Sequence, residues 1–211
     1  MVKYFTIKPT AFTWEKEIKK SRFILNMARI TSENDARDFI EKINKIHYKA
    51  SHNVFAYVLG DNDSIKRYSD NGEPSGTAGI PMLEVLQKND LHDVIAVVTR
   101  YFGGIKLGAG GLIRAYAGTI AEGLESIDFV ERLTRLQITI SIDYKHGETL
   151  NYWLNSHNYQ IIDTQYDTNV HVVVPVSEED LTKFQSDLMN QFSGHILFDI
   201  GDETYFEIPV K

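Results

Sequence analysis

The chain has no cysteine. Disulfide frameworks, thiolate metal sites and cysteine nucleophiles are therefore excluded, and the absence fits a cytoplasmic protein. No apolar run approaches the roughly 20 residues that span a bilayer. The opening MVKYFTIKPTAF has neither a basic n-region nor an apolar h-region, so no secretory signal is expected there. An excess of positive charge is also missing. The net charge of −7 argues against a protein that coats nucleic acid with its whole surface. Seven histidines are present, but none falls in an HExxH-type ligand spacing. No metal and no cofactor are expected. No serine stands in a nucleophile elbow, so a hydrolytic triad has no support.

The remainder is ordinary globular composition, 43% hydrophobic and 24% charged in 211 residues. That length allows one large domain or two small ones. The charge is uneven. Residues 1–132 hold 18 of the 22 cations and 17 of the 29 carboxylates, a balance of +1, which leaves −8 for residues 133–211. The acidic part either repels nucleic acid or is simply a solvated surface.

The most distinctive stretch is VIAVVTRYFGGIKLGAGGLIRAYAGTIAEGL, from Val94 to Leu124. Val94 to Thr99 reads as a strand buried on both faces. Arg100 to Gly111 is a loop with glycines at 103, 104, 108, 110 and 111. Leu112 to Leu124 returns to helical spacing, with Leu112, Ile113, Tyr116, Ile120 and Leu124 on one side. Strand, glycine loop, helix is an order that leaves free backbone N–H groups at a helix start, where an anion binds without a side chain. Arg100, Lys106 and Arg114 bracket the loop, and Tyr101 or Tyr116 offers a ring for stacking. The loop is neither a Walker A motif nor GxGxxG. A structural reading competes: glycine and alanine permit tight turns and close helix–strand packing, and each arginine can pair with Asp70 or Glu73.

SDNGEPSGTAG, residues 69–79, is dense in turn formers. Asp70 and Glu73 suit an acid–base pair, or metal ligands beside His52. They equally suit a turn and a helix start. Pro74 fits the first turn of a helix, and Gly76 and Thr77 can hold a phosphate there. Two helix starts then converge on one anion surface.

Elsewhere the pattern gives an edge strand at 3–8, a mixed stretch at 14–20 and a strand over 21–30. A helix follows, capped by Ser32 with Asp35 three residues on. His52–Leu59 is a strand, Asp61-Asn62-Asp63 a turn and Ile65–Tyr68 a short strand. Beyond Ile127 come an alternating strand (Leu136, Ile138, Ile140, Ile142), a helix over 146–158, strands 159–166 and 169–176 joined as a hairpin, a helix after Ser177 with a Leu181, Phe184, Leu188, Phe192 stripe, and strand-like segments over 195–208. The order β-α-β-β-α-β is the ferredoxin-like plan. It sets a boundary between domains 1–132 and 133–211.

SDNGEPSGTAGIPML, VVTRYFGGIKLGAGGLIRAYAG and the upstream KKSRF closely resemble the IMPACT family in its two-domain bacterial form, the YigZ type. The resemblance covers nearly the whole chain. It implies an α+β protein. Its first domain would be similar to domain 2 of ribosomal protein S-five, a sheet with helices on one face and a left-handed β-α-β crossover. Its second would be similar to the last domain of elongation factor G. Eukaryotic members of the family regulate translation by binding the ribosome-associated activator of an eIF-two-alpha kinase, through an architecture with an extra domain, so that partner is not carried over. Lys20 and Arg22 join the matched motif positions. The resemblance thus implies a translation-associated protein that binds RNA or the ribosome, and it allows a protein partner in translation control.

The expected anion or nucleic-acid surface comprises Lys20, Arg22, Gly76, Thr77, Arg100, Tyr101, Gly103, Gly104, Lys106, Gly108, Gly110, Gly111, Arg114 and Tyr116. Asp70 and Glu73 are acid–base or structural carboxylates. The expected protein is cytoplasmic and a binder rather than an enzyme, with no catalytic residues assigned. The alternatives are an enzyme acting on a phosphorylated small molecule or nucleotide, and an adaptor for an acidic peptide. Oligomeric state is left open.

Overall fold

The computed structural model describes residues 3–60, 62 and 64–210. Two of the three positions of the expected Asp61-Asn62-Asp63 turn lie outside the described residues. The chain divides into two compact units. One takes Tyr4–Glu131 together with the chain end from Ile208, and the other takes Arg132–Glu207.

The first unit is built on an antiparallel sheet of β2 (Phe12–Ile18), β3 (Ser21–Arg29), β4 (His52–Leu59), β5 (Ile65–Ser69) and β6 (Val94–Tyr101), in the order β2-β3-β6-β4-β5. A short β1 (Lys3–Ile7) precedes them. The unbroken apolar run makes β6 the central strand, buried along Val94–Arg100. Ala96 and Val98 join Phe23, Leu25, Val54 and Ala56 in the main core. Helices α2 (Gly79–Lys88) and α3 (Ala109–Leu124) cover that face with Met82, Leu86, Leu112, Tyr116 and Ile120. The alternate residues Ile95 and Val97 point the other way. There they meet Ala36, Phe39, Ile40 and Ile43 of α1 (Glu33–Ile46). Two helices thus lie on one face, and α1 adds a layer on the opposite one.

This arrangement fixes a point of handedness. Strands β3 and β4 both pair antiparallel with β6, so they run parallel and α1 joins them. Strands β5 and β6 both pair antiparallel with β4, so they too run parallel, joined by α2. Half a turn of the sheet in its own plane carries one crossover path onto the other, with the helix on the opposite face. The two crossovers therefore have opposite hands, and one of them is left-handed, against the usual rule.

Local chemistry sets the helix boundaries. Ser32 Oγ accepts from Asp35 N at 3.1 Å. The Asp35 carboxylate reaches back to the backbone N and Oγ of Thr31, which, with a smaller contribution from Ser32, holds its carboxyl below the usual range. Helix α2 starts at Gly79, so Pro74 lies in the preceding loop and not in a first helical turn. Helix α3 starts at Ala109, three residues before the sequence periodicity shows it, because Gly110 and Gly111 carry no side chain to mark the apolar face. Ile113 is exposed at 41% rather than on the inner face.

The second unit has β7 (Phe129–Asp143), α4 (Gly147–Ser156), β8 (Asp163–Tyr166), β9 (Asn169–Val176), α5 (Leu181–Gln191) and β10 (Leu197–Pro209). The β-α-β-β-α-β strands lie in the order β10-β7-β9-β8, with outer strands drawn from the second and fourth β positions, and β1 also pairs with β7 as the fifth strand of the sheet. Ile138, Ile140 and Ile142 meet Val170, Val172 and Val174, with Leu150, Leu154, Phe184 and Leu188 from the helices above them. Strand β8 begins at Asp163, later than Tyr159, because Tyr159 packs against Trp153 and Phe184 instead of entering the sheet.

Candidate anion-binding surface

The loop between β6 and α3 is shaped by contact with the β2–β3 hairpin. That hairpin turns on Lys19 and Lys20, both with positive φ (47° and 64°). Two-residue turns of this kind favour Asn-Gly, and two lysines here carry a conformational cost. Gly103 packs against the turn. A Cβ at this position would lie 2.0 Å from the Lys20 carbonyl group, so only glycine fits. Gly103 N and Arg100 Nη2 both donate to Ser21 Oγ, at 3.1 and 3.4 Å. Gly108, the N-cap of α3, has φ +70° with open space around it, so its requirement is conformational.

The start of α3 is open. No side chain caps it and its first turn holds no acidic residue. The Arg114 guanidinium lies back over that turn: a Cβ built on Gly110 would stand 3.6 Å from Arg114 Nη1. A cation at a helix N-terminus is at the disfavoured end of the dipole. Lys19, Lys20 and Lys106 are exposed nearby. Lys19 and Arg114 line one shallow depression with Ile18, Leu107 and Gly111, and Lys106 lines a second. Among the described residues no carboxylate pairs with Lys19, Lys20, Lys106 or Arg114.

Arg100 is corrected from surface cation to interior partner. It is 5% exposed, and its Nη1 donates to Glu73 Oε1 at 2.7 Å. The same oxygen accepts from the Tyr116 hydroxyl at 2.8 Å. Tyr116 is fully buried, edge-on to Phe23, and offers no stacking face. Burial, then the Glu73 charge, pushes its phenol pKa far up, so it stays a donor. The structural alternative, an arginine held by Glu73, is thus the arrangement seen at Arg100.

Asp70 has a second structural role. Its Oδ2 accepts from Gly76 N at 2.8 Å, and its Oδ1 from Ala78 N at 3.0 Å and Gly79 N at 2.8 Å. The N-terminus of α2 is therefore occupied by the chain's own carboxylate. Gly76 and Thr77, expected as phosphate ligands, are committed instead: Gly76 to Asp70, and Thr77 Oγ to the Pro74 carbonyl at 2.6 Å. Arg22 is exposed but bidentate to Glu15, at 2.8 and 2.9 Å, and lies 5.5 Å from the Tyr101 ring centre. The Tyr101 hydroxyl meets His47 Nδ1 at 3.1 Å.

Beside the Arg100–Glu73 pair is a cavity of about 370 Å³ lined by His52, Glu73, Arg100, Phe102, Lys106, Leu107 and the Gly108-Ala109 start of α3. Among the described residues no three His, Asp or Glu side chains gather as a metal-ligating cluster. Among the described residues no helix is long and apolar enough to cross a membrane. Lys19 is a site residue that the sequence pattern does not single out, whereas Phe102 interleaves with Tyr101 and Tyr116 among the cations in sequence and is 49% exposed here rather than core. A lysine pair is not a turn signature, so the hairpin that places Lys19 is not visible in it.

Comparison with known proteins agrees with the geometry of both units. Residues 19–124 match the Impact N-terminal domain, and residues 140–195 match a domain of unknown function, DUF1949. The "IMPACT family member YvyE" of Bacillus subtilis is 45% identical over 99% of this chain and 95% of its own length. The "IMPACT family member YigZ" of Escherichia coli is 33% identical over 86% and 90%. The "Protein IMPACT homolog" of Dictyostelium discoideum is 37% identical over 47% of this chain and 30% of its own. A solved structure titled "Crystal structure of an hypothetical protein" superposes with a TM-score of 0.62 at 30% identity, covering 96% of this chain and 98% of that one.

Proposed function

The chain belongs to the IMPACT family, in a two-domain form, and from that premise we propose that it is a cytoplasmic, translation-associated protein that binds RNA or the ribosome through the open start of α3. One observation carries the reading. The α3 N-terminus has no internal anion, whereas Arg114 is held over it and Lys19, Lys20 and Lys106 stand close by in sequence and in the hairpin it packs against. Like charge gathered at the positive end of a helix dipole is unfavourable until an external anion arrives. A phosphate backbone supplies that anion repeatedly. The positive balance of residues 1–132, against −8 beyond, favours approach by this unit.

Gly103 and Gly104 set the loop, Gly108, Gly110 and Gly111 expose the N–H groups, and Lys20, Lys106 and Arg114 supply charge. Tyr101 and Arg22 flank the site as a half-covered ring and a paired cation.

Co-sedimentation with purified ribosomes across a salt series tests the proposal. Binding should weaken steeply with salt, and Lys106→Ala/Arg114→Ala should lower the log–log slope by about 0.7 for each phosphate that is no longer neutralised. Unchanged affinity and slope in the double variant would place the site elsewhere. Binding that survives removal of the RNA would indicate a protein ligand.

A further inference from the structure

The cavity beside Arg100 and Glu73 has its own chemistry, independent of a backbone-tracking surface. Its volume, about 370 Å³, lies in the range of small-ligand sites. At one side are the unfilled N–H groups of the α3 start and Lys106, an anion site. On its wall is the ring of Phe102, 49% exposed, with the Arg100 guanidinium 5.5 Å from the ring centre. The polar wall is more selective. His52 Nδ1 lies 2.8 Å from the Asn71 carbonyl, an acceptor only, so Nδ1 carries a proton, and in the neutral ring Nε2 is then an acceptor. Nε2 faces Glu73 Oε2 at 3.8 Å, too far for a hydrogen bond. Glu73 Oε1 is already engaged by Arg100 and Tyr116, whereas Oε2 has no hydrogen-bond partner among the described residues. Two acceptors therefore stand side by side without a donor. Arg100 Nε, on a side chain only 6% exposed, is itself buried away from the cavity and takes no part in its wall.

We infer that this cavity binds a guanosine phosphate, with the phosphate at the α3 start beside Lys106, the base against Phe102, and its hydrogen-bonding edge toward Glu73 and His52. The edge decides the base. Two adjacent acceptors call for two adjacent N–H donors. Among the four RNA bases guanine alone has them on neighbouring ring and exocyclic nitrogens, at N1 and the 2-amino group. The inference shares the α3 start with the proposed RNA contact but stands without it. The guanosine phosphate is either free or one unstacked nucleotide of an RNA strand.

Calorimetric titration of the full chain with guanosine 5′-monophosphate tests it, with inosine 5′-monophosphate, guanosine and inorganic phosphate as comparison ligands. The expected result is saturable binding of the guanosine phosphate below about 1 mM. Inosine phosphate, which lacks the 2-amino donor, should bind about tenfold more weakly. Phe102→Ala should cost about tenfold by removing the stacking ring, and Phe102 is exposed enough for the variant to fold. Lys106→Ala should weaken the nucleotide but not the nucleoside. A 5′-phosphorylated guanosine-containing oligonucleotide that outcompetes the monophosphate identifies RNA as the source; the reverse order identifies a free nucleotide. Absence of binding at that concentration, equal affinity for inosine phosphate, or binding indifferent to Phe102→Ala overturns the inference. Ribosome co-sedimentation reports separately on the wider surface, so either reading can fail alone.

Discussion

The starts of α2 and α3 in the first unit differ in one respect. Both follow loops rich in glycine, and both helices lie on the same face of the sheet. At α2 the chain supplies its own anion: Asp70 takes three backbone N–H groups at 2.8–3.0 Å. At α3 it supplies cations instead, and no capping side chain. A helix start filled by an internal carboxylate is a structural joint. One left open and surrounded by positive charge favours an external ligand. Composition alone does not separate the two, since Asp70 lies nine residues from the N–H of Gly79 that it caps.

The loop of Asp70 also holds Glu73, which ties that loop to β6 and α3. Glu73→Ala leaves the buried Arg100 guanidinium without its carboxylate and Tyr116 without its acceptor. It should destabilise the chain by about 3–5 kcal/mol in chemical denaturation. Asp70→Ala turns the α2 start into an empty one and should cost about 2 kcal/mol. A loss of only a few tenths would mean that the cap is dispensable and the contrast with α3 is weak. Lys19→Asn/Lys20→Gly relieves the strained hairpin turn and should stabilise by about 1 kcal/mol, while weakening ribosome binding. Ala109→Glu converts the α3 start toward the α2 pattern. It should add about 0.5 kcal/mol of stability.

The smallest effect is one of pH. Burial first, then Arg22, holds the His47 pKa below its ordinary value of 6.5. The unfolded chain then binds more protons than the folded one. This contribution is present above about pH 6.5 and is lost as pH falls from there through the folded pKa. His47→Gln should flatten that part of the stability profile, measured by denaturation at stepped pH. A steeper fall in the variant would contradict the assignment.

Sequence pattern reveals much of this fold for physical reasons. Period-two alternation in Leu136–Ile142 and the apolar run of Val94–Thr99 follow from strand geometry and burial. The capping of α1 by Ser32 is local chemistry. The start of α3 is hidden because glycine carries no periodic signal, and β2 is hidden because its hairpin turns on two lysines. The site is legible as a place but not as a division of labour. Arg100, Lys106 and Arg114 look equivalent in sequence, yet Arg100 lies at the buried end of a central strand opposite Glu73, while the other two remain in solvent. That distinction depends on residues 27 positions apart in the chain. The opposite placement of α1 and α2, and hence the left-handed crossover, is likewise a property of the assembled sheet.

The central claim is that the open start of α3 is the binding surface. Ala109→Glu tests it most directly, because the substitution fills the helix start while leaving every cation in place. Ribosome co-sedimentation at low salt should fall to the level of the Lys106→Ala/Arg114→Ala variant, with thermal stability equal to or above that of the unaltered chain. Undiminished binding by a stable Ala109→Glu protein would contradict the account.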